Sequence, residues 1–375
     1  MKYYIIAGEV SGDLHASFLI KELKLKDENA EFRAWGGDNM AKEGADVVKH
    51  IKDLSFMGFV EVVANLKTVV SNLKFCKKDI LSYNPDSVIF VDYAGFNLKI
   101  AKFCHKNGFK TLFYISPKVW AWKKGRIKMM KKNLTKLFVI FPFEVPFFKK
   151  HDFEVEYYGN PLLDEIQYYN STHNKEEFLK ENDLGSKPIV ALLPGSRVQE
   201  IKSILSIQMS LVEKYPDFDF VIAALDNHKE SFYRKLMHEI DAKIIFNQTY
   251  SILNVAYCAV VCSGTATLET ALFNVPEVVC YKGNPISIAI GKILVKLKYI
   301  SLVNLILDRP AVVELLQNDW NKERLDKEFR KIAYDELYRT EMKMNYSNLK
   351  TILGDAGASK KIAKRIVAIN SENIN

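Results

Sequence analysis

The sequence predicts an α/β protein built from two doubly wound parallel sheets in tandem. Short apolar runs alternate with amphipathic helical segments along most of the chain, the pattern of a parallel sheet covered by helices. A polar stretch at residues 168–183 separates two such series, and a length of 375 residues suits two domains. We therefore expect an N-terminal domain in residues 1–165, a second domain in residues 166–340, and C-terminal helices in residues 341–375 that pack on the N-terminal domain of the same or a partner chain.

The strands of both sheets are predicted from the apolar runs. The candidates in the first series are residues 3–7, 31–35, 87–92, 110–115 and 137–141. Those in the second series begin at Pro188 and continue with residues 218–223, 243–246, 256–262 and 277–281. From about Arg309 onward the pattern is helical to the C-terminus. Tandem domains of this kind normally bind a ligand in the cleft between them, where their strands end.

Composition excludes several classes of protein. Hydrophobic residues at 48% and charged residues at 26% are ordinary for a globular protein and exclude disordered, collagenous and coiled-coil chains. The first apolar run is cut off by Gly8 and Glu9 and is too short for a signal peptide, so we expect a cytoplasmic protein. The five cysteines are scattered without Cys-x-x-Cys spacing, so neither disulfides nor a structural metal site is expected.

The net charge of +8 is unevenly distributed. No acidic residue lies between Asp92 and Glu144. The basic residues of this segment are Lys99, Lys102, Lys106, Lys110, Lys118, Lys123, Lys124, Arg126, Lys128, Lys131, Lys132 and Lys136. Such a face attracts phosphates, anionic lipid or nucleic acid, although no nucleic-acid-binding motif accompanies it.

Residues 7–15 (AGEVSGDLH) follow the first strand and open a helix. Free N–H groups at a helix N-terminus favour an anionic or hydroxyl-rich ligand, which suggests roles for Ser11, Gly12 and His15. The glycine spacing is not that of a dinucleotide fingerprint. Asp13 is interpreted structurally, as the N-cap of this helix.

Asp92 ends a buried apolar strand, residues 87–92, at the edge where open α/β sheets carry their ligands. A carboxylate there, upstream of a basic stretch, is suited to act as general base towards a hydroxyl. Position alone supports a second interpretation equally well, because Asp is also a favoured N-cap of the following helix.

Residues 116–126 (SPKVWAWKKGR) place tryptophans beside basic residues. Core packing, stacking on a sugar or base, and anchoring at a membrane interface all produce this pattern. The sequence alone does not choose among them.

Two loops of the second series are suited to phosphate. In residues 192–197 (LLPGSR), a glycine lets phosphate approach the backbone and Arg197 offers a bidentate pair, although the loop lacks a Walker ending. In residues 262–269, Ser263, Gly264 and Thr265 form a helix N-terminus whose N–H groups suit a pyrophosphate. Glu269 could accept from ribose hydroxyls or be an exposed helical charge. Two such loops in one domain favour a nucleotide.

One helical segment carries a continuous apolar face. Its members are Phe59, Val62, Val63, Leu66, Val69, Val70 and Leu73. A core helix is the simpler interpretation. If that face is exposed to solvent, it forms a patch for acyl chains or a membrane surface.

Together these segments resemble the lipid-A-disaccharide synthase family, glycosyltransferases of the GT-B type with two Rossmann-like domains facing a central cleft. The resemblance covers nearly the whole chain through residues 7–15, 57–62, 116–122, 193–197, 263–266 and 301–304. It implies transfer of 2,3-diacylglucosamine from its UDP derivative to 2,3-diacylglucosamine 1-phosphate, giving UDP and the β-1,6-linked lipid A disaccharide. It also implies an enzyme that needs no metal or other cofactor. The enzyme would lie peripherally on the inner face of the inner membrane, in contact with anionic lipid, and could form a homodimer. Nucleic acid is not an expected partner.

The resemblance also implies residue roles. Asp92 becomes the base that takes the proton of the acceptor 6-hydroxyl, because an α-linked donor gives a β-linked product and one-step inversion needs a base. Many members carry a second Asp where this chain has Gly95, which removes a competitor for that role. Ser11, Gly12 and His15 line the cleft from the same domain as Asp92.

On the donor side the resemblance implicates residues of the second domain: Arg197, Ser263, Gly264, Thr265, Glu269 and Asn304. The guanidinium of Arg197 and the helix N-terminus at Ser263 would meet the charge of the departing UDP. Glu269 would hold the ribose, and Asn304 would contribute to the UDP site.

Three other readings share parts of this pattern. A UDP-sugar 2-epimerase or another GT-B transferase would share both phosphate loops but would not need an exposed apolar helix. A two-lobed sugar-binding protein would need an export signal. A peripheral binder of anionic lipid would catalyse no reaction, so substituting Asp92 would change no turnover.

Overall fold

A computed structural model describes residues 1–54, 66–121, 124–283 and 298–372. The chain divides into two units, of which unit 1 comprises Met1–Asp164 with Asp355–Asn375 and unit 2 comprises Glu165–Gly354. The chain therefore leaves unit 1 once and returns to it near its C-terminus. The helix Glu336–Leu353 is counted in unit 2, whereas the sequence grouped residues from 341 onward with the N-terminal domain.

Unit 1 is built on a parallel sheet. Its described strands are β1 (Lys2–Ala7), β2 (Glu31–Gly36), β3 (Asp46–His50), β4 (Ser87–Val91), β5 (Lys110–Tyr114), β6 (Lys136–Val139) and β7 (Glu156–Tyr157). They lie side by side in the order β3-β2-β1-β4-β5-β6-β7. The central strands β1 and β4 are almost entirely buried, which explains their unbroken apolar sequences.

Helices cover both faces of this sheet. They are α1 (Val10–Lys24), α2 (Asp38–Lys42), α3 (Leu66–Tyr83), α4 (Ala94–Lys106), α5 (Arg126–Asn133), α6 (Glu144–Lys149), α7 (Pro161–Thr172, whose last residues belong to unit 2) and, from the C-terminal segment, α16 (Ala358–Ser371). One apolar core lies under α3, α4 and α5 and includes Cys76, Ile100 and Met130. The other lies under α1 and α16, where Leu19 and Ile20 pack in one cluster with Ile362 and Ile366.

Unit 2 repeats the same plan. Its described strands are β8 (Ile189–Leu193), β9 (Asp219–Ala224), β10 (Lys243–Phe246), β11 (Ala256–Cys262), β12 (Glu277–Tyr281) and β13 (Val313–Leu316), in the order β10-β9-β8-β11-β12-β13. Its described helices are α8 (Lys175–Glu181), α9 (Val198–Lys214), α10 (Glu230–Met237), α11 (Thr249–Val255), α12 (Thr265–Leu272), α13 (Leu302–Leu307), α14 (Lys322–Tyr334) and α15 (Glu336–Leu353).

The ten predicted strands are all present within one or two residues of their predicted ends, so the prediction of two doubly wound parallel sheets is confirmed. Three strands were missed: β3, β7 and β13. The helical reading from Arg309 onward is wrong at β13, which pairs with β12 through Val278 and Val313. The other elements described after that strand are helical.

Both sheets reverse strand order at one point, between β1 and β4 in unit 1 and between β8 and β11 in unit 2. The loops after two strands that flank such a point separate in opposite directions and leave a crevice at the carboxyl edge of the sheet. Ser11 and Asp92 follow β1 and β4, and Arg197 and Ser263 follow β8 and β11. Predicted site residues therefore lie at both crevices.

The last helix, α16, is fixed to unit 1 at both ends. At its start, the Asp164 carboxylate accepts hydrogen bonds from the backbone N–H groups of Gly357, Ala358 (3.2 Å) and Ser359 (2.8 Å). At its end, Lys110 Nζ donates to the carbonyls of Ile369 (2.7 Å), Asn370 and Glu372. A helix dipole favours a negative charge at the N-terminus, as Asp164 provides, and a positive charge at the C-terminus, as Lys110 provides.

Replacing Asp164 with alanine is therefore expected to loosen α16 selectively. Losing an N-cap carboxylate costs about 1 kcal/mol, which corresponds to roughly fivefold faster amide exchange in that helix. Hydrogen exchange of Ala358–Ser371 measures this effect. Asp164→Asn is the matched control, since it keeps an acceptor oxygen and should change exchange less. Equal exchange in the alanine variant and the wild type would contradict the capping role.

No helix in the described parts of the chain is long and apolar enough to cross a membrane.

Candidate functional site

The turn after β1 requires Gly8. A Cβ atom at this position would lie 2.3 Å from the ring of Tyr93, which packs against the Gly8 backbone. Gly12, in the first turn of α1, is buried, and a Cβ there would come within 3.3 Å of the Ala7 Cβ. The two glycines thus let the ends of β1 and β4 and the start of α1 approach closely.

Residues Ser11 and His15 lie on α1 at this edge, Ser11 exposed and His15 half-buried. Glu9, exposed in the N-cap position of α1, lies close enough to Tyr93 to contribute to the raised pKa of that phenol, after the larger effect of burial. The sequence pattern gave no separate role to Glu9.

Asp13 does not cap α1, and its predicted N-cap role is wrong. Its buried carboxylate accepts hydrogen bonds from the backbone N–H groups of Gly37 (2.6 Å), Asn39 (3.1 Å) and Met40 (3.2 Å), and from the Asn39 side chain. It therefore caps α2, a helix more than 20 residues further along the chain. This contact ties the loop after β2 to α1.

Asp92 lies directly after β4 in a left-handed backbone conformation, with φ of 44°, and Tyr93 follows at 46°. Two consecutive non-glycine residues in this region are unusual and cost energy. The Asp92 N–H donates to Tyr114 O (3.2 Å), and Asn97 Nδ2 donates to Asp92 O (2.9 Å) and Ile6 O (3.2 Å). Tyr93, not Asp92, is the N-cap residue of α4, so the N-cap interpretation of Asp92 is wrong.

The electrostatics of Asp92 suit a proton acceptor. Burial raises the pKa of its carboxyl, while the positive charge of Lys118, a hydrogen bond from the Tyr93 backbone and His15 act in the opposite direction. The net shift is upwards. A carboxylate with a raised pKa is a stronger base than an exposed aspartate.

Glu144 is a buried acidic residue at this edge that sequence reasoning missed. Its carboxylate accepts from the backbone N–H groups of Ile140 (3.1 Å) and Phe141 (3.0 Å), after β6. Burial raises its pKa to about 7, and the hydrogen bonds from those amides act in the opposite direction. The ring of the preceding residue, Phe143, packs edge-on against Trp120 at 5.1 Å, so Glu144 lies close to residues 116–120, the tryptophan-containing loop after β5. A single glutamate in an aromatic stretch gave no signal in the sequence.

In unit 2, the loop after β8 turns at Gly195, whose φ of 102° favours glycine. A Cβ there would lie 2.9 Å from Glu200 Oε2 and 3.1 Å from Cys262 Sγ, so the loop also needs the space. Arg197 is exposed, and its Nη1 pairs with Glu200 Oε1 at 3.0 Å. The guanidinium has five N–H donors, so this pair leaves donors for a ligand.

The loop after β11 leads into α12. Gly264, its N-cap residue, is exposed and a Cβ there would meet open space, so the backbone is accessible to a ligand. Thr265, the first residue of α12, is also exposed. The Ser263 N–H extends the sheet by donating to Cys280 O (2.8 Å), and its Oγ donates to Ile300 O (3.3 Å). These loops follow the neighbouring strands β8 and β11, so the two phosphate-suited motifs meet at one crevice.

A cavity of about 450 Å³ lies beside this crevice, where β9 and β10 end and α11 begins. Its walls include Tyr169, His173, Asn247, Gln248 and Tyr250. The rings of Tyr169 and His173 stack at 4.3 Å. Burial first, and then the charges of Glu269 and Glu165, raise the pKa of Tyr250, whose hydroxyl donates to Glu165 at 3.1 Å. Glu269 on α12 therefore lies near the cavity wall.

Asn304 is buried on α13, and its carboxamide is used within the protein. Its Nδ2 donates to Val312 O and Glu314 Oε1, both at 2.9 Å, and its Oδ1 accepts from the Val312 N–H at 2.9 Å. The Glu314 carboxylate also accepts from the backbone of Ile300 and Ser301. These contacts give Asn304 a positioning role for the segment that Ser263 contacts; its direct contact with UDP stays a prediction.

The predicted apolar patch is only partly covered by the described residues. Phe59, Val62 and Val63 are not described, and Leu66 begins α3 without a described side chain. Of the other members, Val69 and Leu73 are half-buried and Val70 is 48% exposed. Leu73 packs against the apolar core under α3, α4 and α5, as the core interpretation predicts.

Most lysines of the acid-free segment are exposed, and two have internal partners. Lys110 caps α16, and Lys136 pairs with Glu156 at 2.9 Å. The exposed lysines on the adjacent helices α3, α4 and α5 form what we call the basic face of unit 1: Lys67, Lys74, Lys78, Lys99, Lys102, Lys106, Lys128, Lys131 and Lys132.

Two tandem sheets of this strand order, with phosphate-suited loops at the crevice of unit 2, define a protein with the fold of GT-B enzymes. Among solved structures, the chain resembles UDP-GlcNAc 2-epimerase from Neisseria meningitidis bound to UDP-GlcNAc, with a TM-score of 0.71 at 14% identity over 98% of this chain and 100% of that one. A glycotransferase of kitacinnamycin gives a TM-score of 0.64 at 13% identity, covering 98% of each chain. At these identities the likeness shows the fold alone.

The chain belongs to the lipid-A-disaccharide synthase family. The family model described as lipid-A-disaccharide synthetase matches residues 3–367. Lipid-A-disaccharide synthase from Geobacter sulfurreducens is 32% identical over 366 residues, covering 96% of this chain and 94% of the relative. The enzyme of that name from Coxiella burnetii is 34% identical over 368 residues, covering 96% of both. Membership makes the chain a glycosyltransferase of lipid A disaccharide synthesis and confirms the resemblance read from the sequence.

Proposed function

We propose that this enzyme transfers 2,3-diacylglucosamine from UDP-2,3-diacylglucosamine to the 6-hydroxyl of 2,3-diacylglucosamine 1-phosphate, with inversion at the anomeric carbon. Family membership along nearly the full chain carries the proposal. The family implies a UDP-sugar donor and a sugar-phosphate acceptor. Inversion in one displacement requires a base for the attacking hydroxyl and stabilisation of the departing diphosphate.

Asp92 is the base in this proposal. Its support is its position after β4 at the crevice of unit 1, a backbone held by Asn97 and Tyr114, and a carboxyl whose pKa burial raises. A base at a strained, fixed position is aligned before the acceptor binds, which lowers the entropic part of the barrier. Ser11, Gly12 and His15 line the same edge and bind the acceptor sugar.

The UDP group binds unit 2. Arg197 and the backbone N–H groups at Ser263, Gly264 and Thr265 face the diphosphate, where they stabilise the charge that develops on the leaving group. The uracil occupies the cavity beside them, because stacked aromatic rings and the amides of Asn247 and Gln248 suit a planar base with hydrogen-bonding edges. Glu269, near the Tyr250 wall of that cavity, accepts from the ribose hydroxyls.

The substrates are lipids, and the basic face of unit 1 provides the contact with an anionic membrane surface. It carries exposed apolar side chains of α3 among its lysines, including Val70 (48% exposed) and Phe75 (45%). Lysines near an anionic surface each contribute about 1 kcal/mol of binding. This mode of attachment supports a peripheral enzyme at the inner face of the inner membrane. The apolar face at Phe59, Val62, Val63 and Leu66 would extend the contact, and a homodimer stays a prediction.

Reversing three charges on the basic face is expected to weaken this contact. The variant Lys74→Glu/Lys78→Glu/Lys102→Glu should lose roughly a hundredfold in affinity for phosphatidylglycerol-containing vesicles in flotation assays. The matched control reverses Lys360, Lys361 and Lys364, which are exposed on α16 across the sheet. Loss of binding in the control alone, or in neither variant, would assign the membrane contact elsewhere.

The proposed reaction is tested by incubating the purified enzyme in detergent and EDTA with both substrates and following products by mass spectrometry. Equal amounts of UDP and tetraacyl disaccharide phosphate are expected. UDP without disaccharide would indicate hydrolysis or a different acceptor, and an absence of turnover that added divalent cations restore would contradict metal independence.

A further inference from the structure

The acceptor of the proposed reaction carries two chemically different ends on one sugar ring. Its 6-hydroxyl attacks the donor and its 1-phosphate remains unchanged. Once Asp92 holds the hydroxyl, the phosphate must lie within about one sugar width of that carboxylate. A doubly charged phosphate at a partly apolar sheet edge needs a cation, since burial without one is costly.

The loop after β5 brings a lysine to this place. Strands β4 and β5 are neighbours, and Asp92 N–H donates to Tyr114 O at 3.2 Å, so residues 115–120 begin beside Asp92. Lys118, in this loop, is exposed, and its ammonium group makes no hydrogen bond or ion pair with any residue that the structure describes. Its charge nevertheless acts on Asp92 more strongly than that of His15.

The backbone around Lys118 is fixed, while its side chain projects into solvent. Ser116 and Val119 on either side are buried, and Ala121 N–H donates to Lys118 O at 3.1 Å. The Trp120 ring packs edge-on against Phe143 at 5.1 Å, which fixes the loop on its other side. A lysine on a fixed loop with a free ammonium group is arranged to receive an anion rather than to close an internal ion pair.

We infer that Lys118 binds the 1-phosphate of the acceptor, so that the acceptor ring spans the ends of β4 and β5 with its 6-hydroxyl at Asp92. The inference rests on the proposed function and adds the substrate group that this loop recognises. Lys118 is a specificity residue: it separates the phosphorylated acceptor from the same lipid without phosphate.

The test compares two acceptors, 2,3-diacylglucosamine 1-phosphate and 2,3-diacylglucosamine, with the wild type, Lys118→Met, Lys118→Arg and Lys360→Met. Lys360 is the control because it is an exposed lysine of unit 1 on α16, outside both the basic face and the proposed acceptor site. For the phosphorylated acceptor, Lys118→Met should lower kcat/KM by roughly tenfold to a hundredfold, mainly through the acceptor KM. Lys118→Arg should retain most activity. The donor KM should not change in any variant, and Lys360→Met should have wild-type kinetics.

The unphosphorylated acceptor separates recognition of phosphate from an effect on Asp92. Wild type should use it poorly, and Lys118→Met should use it as well as wild type does. Equal losses with both acceptors, a change confined to kcat, or a wild type that does not prefer the phosphorylated acceptor would overturn the inference. If activity with the unphosphorylated acceptor is too low to measure, a Lys118→Met loss in kcat alone still refutes it, and a raised acceptor KM rescued by arginine supports it. Failure of the proposed function would look different, since wild type would then transfer to neither acceptor.

Discussion

Asp92→Asn is expected to lower transfer by about a hundredfold to ten-thousandfold while UDP binding survives, because a general base contributes that much to a proton transfer. Asparagine is the informative replacement. Asp92 has a φ of 44°, and asparagine tolerates this conformation where alanine does not, so the backbone should stay in place. Asp92→Ala should be equally inactive. UDP binding should survive because the residues assigned to UDP lie in unit 2, whereas Asp92 lies in unit 1. Calorimetry measures it.

The pH profile gives the same prediction a second readout. The base must be ionised to act, so kcat/KM should fall as the pH drops through the pKa of Asp92. Burial raises that pKa above the ordinary value of 3.8, so the acid limb should lie above 3.8. This limb should disappear from the residual activity of Asp92→Asn. An unchanged limb in the variant, or full activity, would remove Asp92 from the role of base.

Arg197→Met is expected to lower kcat by about a hundredfold to a thousandfold, the usual effect of removing one donor to a developing charge. The charge here is that of the departing UDP. Arg197→Lys should recover only part of the loss, because an ammonium group cannot form the bidentate pair of a guanidinium. Product formation under saturating substrates measures the effect.

Arg234→Met is the matched control for Arg197. Arg234 lies on α10 in the same unit and pairs with Glu230 at 3.0 Å, as Arg197 pairs with Glu200. It should have wild-type kcat. If both variants lose activity equally, the loss reflects a lower folding stability of unit 2. If Arg197→Met retains its kcat, residues other than Arg197 stabilise the leaving group.

The central strands could be predicted from sequence because burial on both faces leaves an unbroken apolar run. Ser87–Val91 and Ile189–Leu193 are of this kind, and every residue of each is buried. The missed strands lie at or near sheet edges. Asp46–His50 is half-exposed and carries three charged or titratable residues, and Glu156–Tyr157 has only two residues. Val313–Leu316 reads equally well as a helix, and its pairing with β12 decides the outcome.

The positions of site residues could be predicted because parallel strands bring their carboxyl ends to one edge. What could not be predicted was the use of each side chain. Asp13 looks like a local cap, yet its partners are the amides of Gly37 and Met40, brought near only by the fold. Asn304 is assigned to the UDP site by resemblance, and the sequence gives no sign that its carboxamide also holds the backbone of Val312. Glu144 gave no pattern at all, because its burial and its contacts with the Ile140 and Phe141 amides depend on how the chain turns after β6.

The stereochemistry of the product tests the central claim most directly. If Asp92 activates the 6-hydroxyl for a single displacement on an α-linked UDP donor, every turnover inverts the anomeric carbon. The proton NMR spectrum of the disaccharide should then show the large H1–H2 coupling of a β-1,6 linkage from the first detectable product onward. An α linkage would mean net retention and would contradict a one-step mechanism with Asp92 as its base.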